Sequence, residues 1–310
     1  MGPFTSILCA VDFSEHSAHA VRMAASLAAR QGVPLRLVHV IDLLLAEAAA
    51  AAYDDVHLRA SAASDLEAFA AAACERAGLH IERVIEIRIG RPDREIAEAA
   101  QEHGARVIVV GTHGIGGFRK LFFGSVTERL LRRAMVPVLA VPLDERHRTS
   151  ATPPTVSGVL AALELDETAL PMALAAQQVA GAFGVPLTLV HAVPPVLAAG
   201  EWTRAFDDER PARLERARAS LGLIAQVIDP SRPPDVLVRS GTPAEEIADV
   251  AASIEDLVIV VGLGGGWMLH RPGSTAYRVL CLSTAPVFAL PPEAVASLSA
   301  TAPVVAHARA

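Results

Sequence analysis

The stretch Val107-Ile108-Val109-Val110-Gly111-Thr112-His113-Gly114, followed by Gly124-Ser125-Val126-Thr127, decides how the rest of the chain is read. The run Val107 to Val110 is short, apolar and β-branched, the pattern of a strand buried on both faces. After Gly124, residues Val126, Leu130, Leu131 and Ala134 recur at helical spacing. The segment therefore reads strand, glycine-bearing loop, helix. Glycines at a strand end let backbone approach a ligand closely. The free amides and positive dipole end of a helix starting at Ser125 suit a phosphate. Two plainer readings stand beside this one: Gly111 and Gly114 make a tight turn, and Ser125-Val126-Thr127-Glu128 is a capping box serving the helix itself. The loop is not a P-loop, since Ser125 follows Gly124 directly where that motif has a lysine.

Working outward, Ser6 to Val11 reads as a first buried strand ending at Asp12. Ser14 then caps a helix that stops near Gly32. Leu35 to Ile41 is a second strand, an alanine-rich helix runs from about Asp55 to Ala77, and Ile81 to Ile89 is a third strand. Gly90-Arg91-Pro92-Asp93 turns into a helix closed by Gly104, and Pro137 precedes a last strand, Val138 to Val141. Strands alternating with helices imply a parallel, doubly wound α/β sheet.

The pattern then recurs. Leu187-Thr188-Leu189-Val190-His191 answers Leu35-Arg36-Leu37-Val38-His39 at an offset of 152 (191 − 39), and Val258 to Gly262 answers Val107 to Gly111 at 151 (262 − 111). Ala285-Pro286-Val287 answers Val136-Pro137-Val138 at 149 (286 − 137). A drift of three residues over a whole domain marks a duplicated domain. The expected division is 1–148, 149–293 and a loose tail, 294–310. The copies differ. Asp12 corresponds to Glu164, the second glycine loop is shorter, and Trp267, Met268 and Leu269 fill it with bulk. A helix within Asp208 to Leu221 is the candidate for the one before the second copy's third strand.

A chain of 310 residues favours two cores over one. The net charge of −7 argues against a nucleic-acid surface. The three cysteines, Cys9, Cys74 and Cys281, have no metal-type spacing, and Cys9 and Cys281 read as small core residues in a cytoplasmic, reducing compartment. Ile41 to Ala52 is too short to span a bilayer, and the N-terminus has no basic leader, so neither a membrane nor a signal peptide is expected.

Asp12 after the first strand and Gly111 after the fourth flank one crevice if those strands are neighbours, the switch point where open α/β sheets bind ligands. Here the chain resembles the universal stress protein (UspA) family in its tandem two-domain form. Gly111-x-x-Gly114, nine residues, then Gly124-Ser125 reproduces that family's nucleotide signature. Asp12, Val38 to Ile41 and Gly90-x-Pro92 also fit. The likeness covers residues 4–143 and, more weakly, 156–292.

The resemblance implies two Rossmann-like domains of the adenine nucleotide alpha hydrolase type, each a five-stranded parallel sheet of order 3-2-1-4-5 with helices on both faces. It implies ATP at the switch point, with Mg2+ or Mn2+ held mainly by the phosphates. Carried onto this sequence, Ala10, Val11 and Asp12 meet the ribose or adenine side, and the backbone of Val40 recognises adenine. Val110, Gly111, His113 and Gly114 cradle ribose and phosphates, and Gly124, Ser125, Val126 and Thr127 hold the phosphate chain. Arg119 and Lys120 either fold over the phosphates or form a solvated loop tip. His39 and His191 read as structural equivalents, not metal ligands.

Between strand one and its helix, Val11 to Ser17 carries neither an HxGH nor an SGGxDS motif, and no general base is evident beside the loop. The expected function is thus an ATP-binding stress-response regulator without dedicated catalytic or metal residues. A slow ATPase or phosphotransferase and a nucleotide-free scaffold are the alternatives. Expected partners are ATP, the other copy of the domain through Val138–Val141 and Val287–Leu290, a second chain as a homodimer, and a regulatory protein.

Overall fold

The computed structural model describes residues 2–49, 55–112, 124–143, 152–195, 202–264 and 275–302. Two compact units divide the chain, residues 1–155 with 286–291 and residues 156–285 with 292–310.

The first unit alternates β1 (Ile7–Ala10), α1 (Glu15–Gln31), β2 (Leu35–Ile41), α2 (Leu43–Ala49), α3 (Asp55–Arg76), β3 (Arg83–Ile89), α4 (Pro92–Glu102), β4 (Val107–Gly111), α5 (Ser125–Leu131) and β5 (Val138–Val141). Its sheet has the order β3-β2-β1-β4-β5, with all four of these pairings parallel. Every residue of β1, β4 and β5 is buried. That is the cost-free arrangement for continuous Val/Ile/Leu runs covered on both faces. Because parallel crossovers are right-handed, the step from β1 to β3 and the return from β3 to β5 put α1 and α3 on one face and α4 and α5 on the other.

The helix ends follow local chemistry. The Ser14 hydroxyl accepts the Ser17 N–H at the start of α1. Gly32 ends it in the left-handed conformation, φ 65°, donating to the Ala28 and Ala29 carbonyls. Beyond β5 the first unit takes in β10 (Val287–Leu290), which pairs antiparallel with β5 so that Phe288 lies opposite Leu139. The Phe288 ring stacks on Phe4, 5.5 Å between centroids. The two strands expected to cover each other's edges thus pair directly.

The second unit contains β6 (Gly158–Ala162), α6 (Ala169–Phe183), β7 (Leu187–Val193), α7 (Trp202–Ile228), β8 (Asp235–Ser240), α8 (Pro243–Ser253), β9 (Leu257–Gly262), α9 (Thr275–Leu282) and α10 (Pro292–Thr301). Its strands run parallel in the order β8-β7-β6-β9. Two expectations need correction. Helix α7 starts well before Asp208 and tolerates Pro211 inside it. Residues read as a loose tail form α10 through Thr301, because Ala294 and Leu298 become buried as that helix packs on α6. No described helix is long and apolar enough to cross a membrane.

Candidate functional site

Ala10 closes β1, and the chain leaves the sheet at once. The Val11 N–H donates to the Val38 carbonyl at 2.9 Å, and the Val11 carbonyl accepts the Nδ1–H of His39 at 2.8 Å. Asp12 Oδ1 then accepts both the Ser14 N–H (3.0 Å) and the Ser14 hydroxyl (2.6 Å). Between them Phe13 sits at φ 63°, a left-handed conformation that costs a non-glycine residue about 1–2 kcal/mol. Its ring packs on His39 (4.6 Å) and Phe69 (5.4 Å). A strained residue held inside a hydrogen-bonded turn is a feature that recurs at binding sites.

This departure of β1 shapes the crevice. In a parallel ladder the N–H and C=O of one residue point to the same neighbour, and alternate residues point to opposite neighbours. The Val38 carbonyl faces β1, and the Ile41 carbonyl faces Gly90 after β3. Val40 therefore directs both peptide groups to the β1 side, beyond the point where β1 has turned away. Both hydrogen bonds to the Asp12 carboxylate fall on Oδ1, and among the described residues Oδ2 accepts none. A peptide donor–acceptor pair and one uncommitted carboxylate oxygen fit an adenosine, whose base presents an amine and ring nitrogens and whose ribose presents hydroxyls.

Across the switch point, Val110 and Gly111 end β4. A Cβ on Gly111 would lie 3.0 Å from the His16 backbone carbon and 3.1 Å from its oxygen. The first turn of α1 itself therefore requires this glycine. The Gly124 N–H donates to the Thr112 carbonyl at 2.9 Å, bringing the two ends of the loop together. Gly124, not Ser125, is the N-cap of α5 and makes no side-chain cap. The capping-box reading is thus overturned: Glu128 turns to Arg132 at 2.6 Å, and the Ser125 hydroxyl accepts from Arg129 at 3.4 Å. Thr127 is buried and donates its hydroxyl to the Gly111 carbonyl at 3.0 Å. That proton is committed to fixing α5 against β4, which leaves Thr127 its backbone N–H. Ser125 is exposed and Val126 half-buried. His113, Gly114, Arg119, Lys120 and Trp267 to Leu269 lie outside the described residues.

One constellation escaped the sequence reading. The Asp93 side chain, 1% exposed in the first turn of α4, meets three arginines. Arg129 Nε lies 3.2 Å from Oδ1, Arg133 Nε 3.0 Å from Oδ2, and Arg91 Nη2 3.5 Å from Oδ1. Asp93 and Arg129 are 36 positions apart, and only the packing of α4 on α5 joins them.

Elsewhere, Glu86, Glu102 and His103 gather within reach of one another. Arg88 is bonded to both carboxylates, and Arg36 and His103 also pair with Glu86, so the cluster is an ion-pair network. Burial alone would raise the Glu86 carboxyl. The hydrogen bond and charge of Arg88, with His103 and Arg36, outweigh it and hold that carboxyl below its usual range. Burial pushes the Cys9 and Cys74 thiols up, away from ionisation. Cys9 is a core residue as expected, whereas Cys281 is only half-buried.

The second unit repeats part of this frame. His191 donates to the Leu163 carbonyl at 2.8 Å, the counterpart of the His39 bond, and Gly184 caps α6 as Gly32 caps α1. The Asp12 turn is rebuilt two residues later than the strand offset predicts. There Asp166, not Glu164, accepts from the N–H (2.9 Å) and hydroxyl (2.6 Å) of Thr168.

Comparisons with known proteins agree with this architecture. The universal stress protein family model matches residues 3–142 and 157–291. A universal stress protein of Mycolicibacterium smegmatis is 27% identical over 305 residues, 93% of this chain and 97% of that one. One from Thermus aquaticus is 30% identical over 138 residues, 44% of this chain and 98% of its own length. For a universal stress protein of Methanocaldococcus jannaschii, 36% identical over 55 residues, the match spans 34% of that protein. The crystal structure of a universal stress protein from Archaeoglobus fulgidus superposes with a TM-score of 0.59 over 93% of this chain and 98% of that chain, at 22% identity, a likeness of fold. With a family model covering both repeats and the 3-2-1-4-5 order standing in the first, the chain belongs to the universal stress protein family.

Proposed function

We propose that this protein is an ATP-binding regulator of the stress response, with its working site in the first unit. The observation that carries the reading is the paired peptide groups of Val40, aimed past the end of β1, beside the uncommitted Oδ2 of Asp12. Ala10 and Val11 form the floor between them. Val40 takes the adenine edge and Asp12 the ribose. Gly111 closes the opposite wall, and ribose and phosphate contacts are assigned to His113 and Gly114, which follow it in sequence. Gly124, Ser125, Val126 and Thr127 lead the phosphate chain along the start of α5, through backbone N–H groups and the Ser125 hydroxyl. A divalent ion accompanies the phosphates and is held mainly by them. Bound ATP supplies charge and buried contacts that favour one conformation over another, which is how occupancy becomes a signal. The role is regulation, exercised from the cytoplasm on a protein partner, with self-association into dimers. The second unit, with its altered Asp166 turn, is the degenerate copy.

The test is mass spectrometry of nucleotide released from the purified, heat-denatured chain, followed by titration of the emptied protein with ATP and Mg2+. About one adenine nucleotide per chain is expected by the carboxylate–ribose and adenine–backbone recognition common to such crevices. An Asp12→Ala chain should lose it while an Asp166→Ala chain retains it. Failure to carry or bind any adenine nucleotide would overturn the reading in favour of a scaffold. Recovery of ADP alone after incubation with ATP would favour slow hydrolysis.

A further inference from the structure

Asp93 has more cations than its own neutralisation needs. One guanidinium would balance the buried carboxylate. Three converge on it, leaving a surplus of two positive charges in a chain whose net charge is −7. Arg91, Arg129 and Arg133 are each about half exposed, so the surplus faces solvent while its anchor does not. Arg129 of α5 and Arg133, just beyond its last turn, grip Asp93 through Nε. That fixes the guanidinium planes and leaves their outer nitrogens for another acceptor. For Arg129 the outer Nη2 reaches the Ser125 hydroxyl at 3.4 Å, at the junction of loop and helix.

We propose that Arg129, seated on the buried Asp93 carboxylate, is the charge-selecting residue of the nucleotide site, and that it makes the site prefer ATP to AMP. The inference rests on the nucleotide reading above. Ser125 lies where the phosphate chain passes, and Arg129 is already bonded to its side chain. A guanidinium held by a buried acid is pre-organised, so it meets a phosphate without first giving up rotamer freedom. It therefore adds to the binding of ligands that carry outer phosphates and adds little for those that do not. Arg133 and Arg91 complete the positive field around the same anchor. Among the described residues, the second unit has no buried acid gripped by arginines. Position 93 corresponds to Ala244 (93 + 151) and position 129 to Arg278 (129 + 149), which is paired one-to-one with the exposed Glu245.

The experiment measures dissociation constants of ATP and AMP by calorimetry for the full chain and for Arg129→Gln, Arg129→Lys and Arg132→Gln. Wild type should bind ATP at least about tenfold more tightly than AMP, by the strength of one charge-assisted bond, and the ratio should fall as NaCl is added. Arg129→Gln should abolish most of that ratio by weakening ATP while changing AMP less than about twofold. Arg129→Lys should restore part of it, and Arg132→Gln, which only breaks the Glu128 pair, should leave it in place. Equal weakening of both nucleotides, or an unchanged ratio, would mean that Arg129 merely ties α5 to α4, and the proposal would fall while the nucleotide reading stood. A salt-independent ratio in wild type would overturn it even if Arg129→Gln did not fold. No binding of either nucleotide by wild type would overturn both.

Discussion

The two units are copies of one pattern, yet they agree at one side of the crevice and part company at the other. On the β1 side they agree closely. His39 and His191 make the same 2.8 Å bond to a carbonyl 28 residues earlier, and Asp12 and Asp166 each bind an N–H and a hydroxyl two residues on. On the α5 side they differ. Thr127, bonded to Gly111, corresponds to Ala276 (127 + 149), and Asp93 with its three arginines corresponds to Ala244 beside a single exposed pair. What both units keep is what a strand needs in order to leave a parallel sheet and start a helix without stranding backbone groups. Among the described residues, only the first keeps a buried charge, a buried hydroxyl bond and a tight glycine contact on this side. Those are the features for which folding alone gives no reason in the second.

The largest test of that contrast is a methyl group at each strand end. At Gly111 it would meet the His16 backbone at 3.0 Å, which side-chain rotation cannot relieve. At Gly262 it would meet, among the described residues, the Met172 sulfur at 3.4 Å, on a flexible chain. Gly111→Ala should therefore cost about 2–3 kcal/mol and Gly262→Ala less than about 1 kcal/mol, the usual range for overpacking against rigid and yielding neighbours. The units need separate readouts, since two domains need not unfold together. Both tryptophans, Trp202 and Trp267, belong to the second unit, so their fluorescence in urea follows that unit alone while circular dichroism follows both. Equal losses would erase the distinction between the two strand ends.

Much of this frame is legible in the amino-acid sequence. Leu35–Ile41 and Val138–Val141 coincide with the strands read from apolar runs, and Gly32 ends its helix in the left-handed conformation that a terminal glycine announces. Such features are local, and so a local pattern carries them. Helix α10 was not legible, because Pro292–Thr301 shows little periodicity until α6 supplies a surface to bury Ala294 and Leu298. The Asp93 cluster was hidden for a different reason. Two of its three partners lie 36 and 40 positions away, and nothing in their spacing announces a meeting that depends on α4 packing on α5. The loop sequence suggests a ligand or a tight turn, and neither reading reaches the close approach of His16 that also keeps residue 111 a glycine.

The bond from Thr127 to Gly111 offers a smaller test. Thr127→Val keeps the shape but leaves a buried strand-end carbonyl without its donor, which should cost about 1–2 kcal/mol. The loss should appear in circular dichroism and not in tryptophan fluorescence. If the proposed phosphate contact at this position uses only the backbone N–H, ATP affinity measured well below the unfolding range should change little. A large loss of ATP affinity in a stably folded Thr127→Val chain would instead return the hydroxyl to the lining of the site.

The smallest effect probes the side on which the units agree. His39→Leu and His191→Leu each remove one Nδ1–H donor from a part-buried carbonyl, and each should cost about 1 kcal/mol. His39 also lies 4.6 Å from the Phe13 ring, a contact for which no counterpart occurs at His191 among the described residues. His39→Leu should therefore exceed His191→Leu by about 0.5–1 kcal/mol, the size of one aromatic pair. That increment matters because Phe13 holds its left-handed conformation against an intrinsic preference of similar size. Equal losses would mean that the Asp12–Ser14 turn alone keeps Phe13 in place. A larger loss at His39 would mean that the aromatic cluster shares in holding open the crevice end of β1, and that the first unit departs from its copy on this side as well.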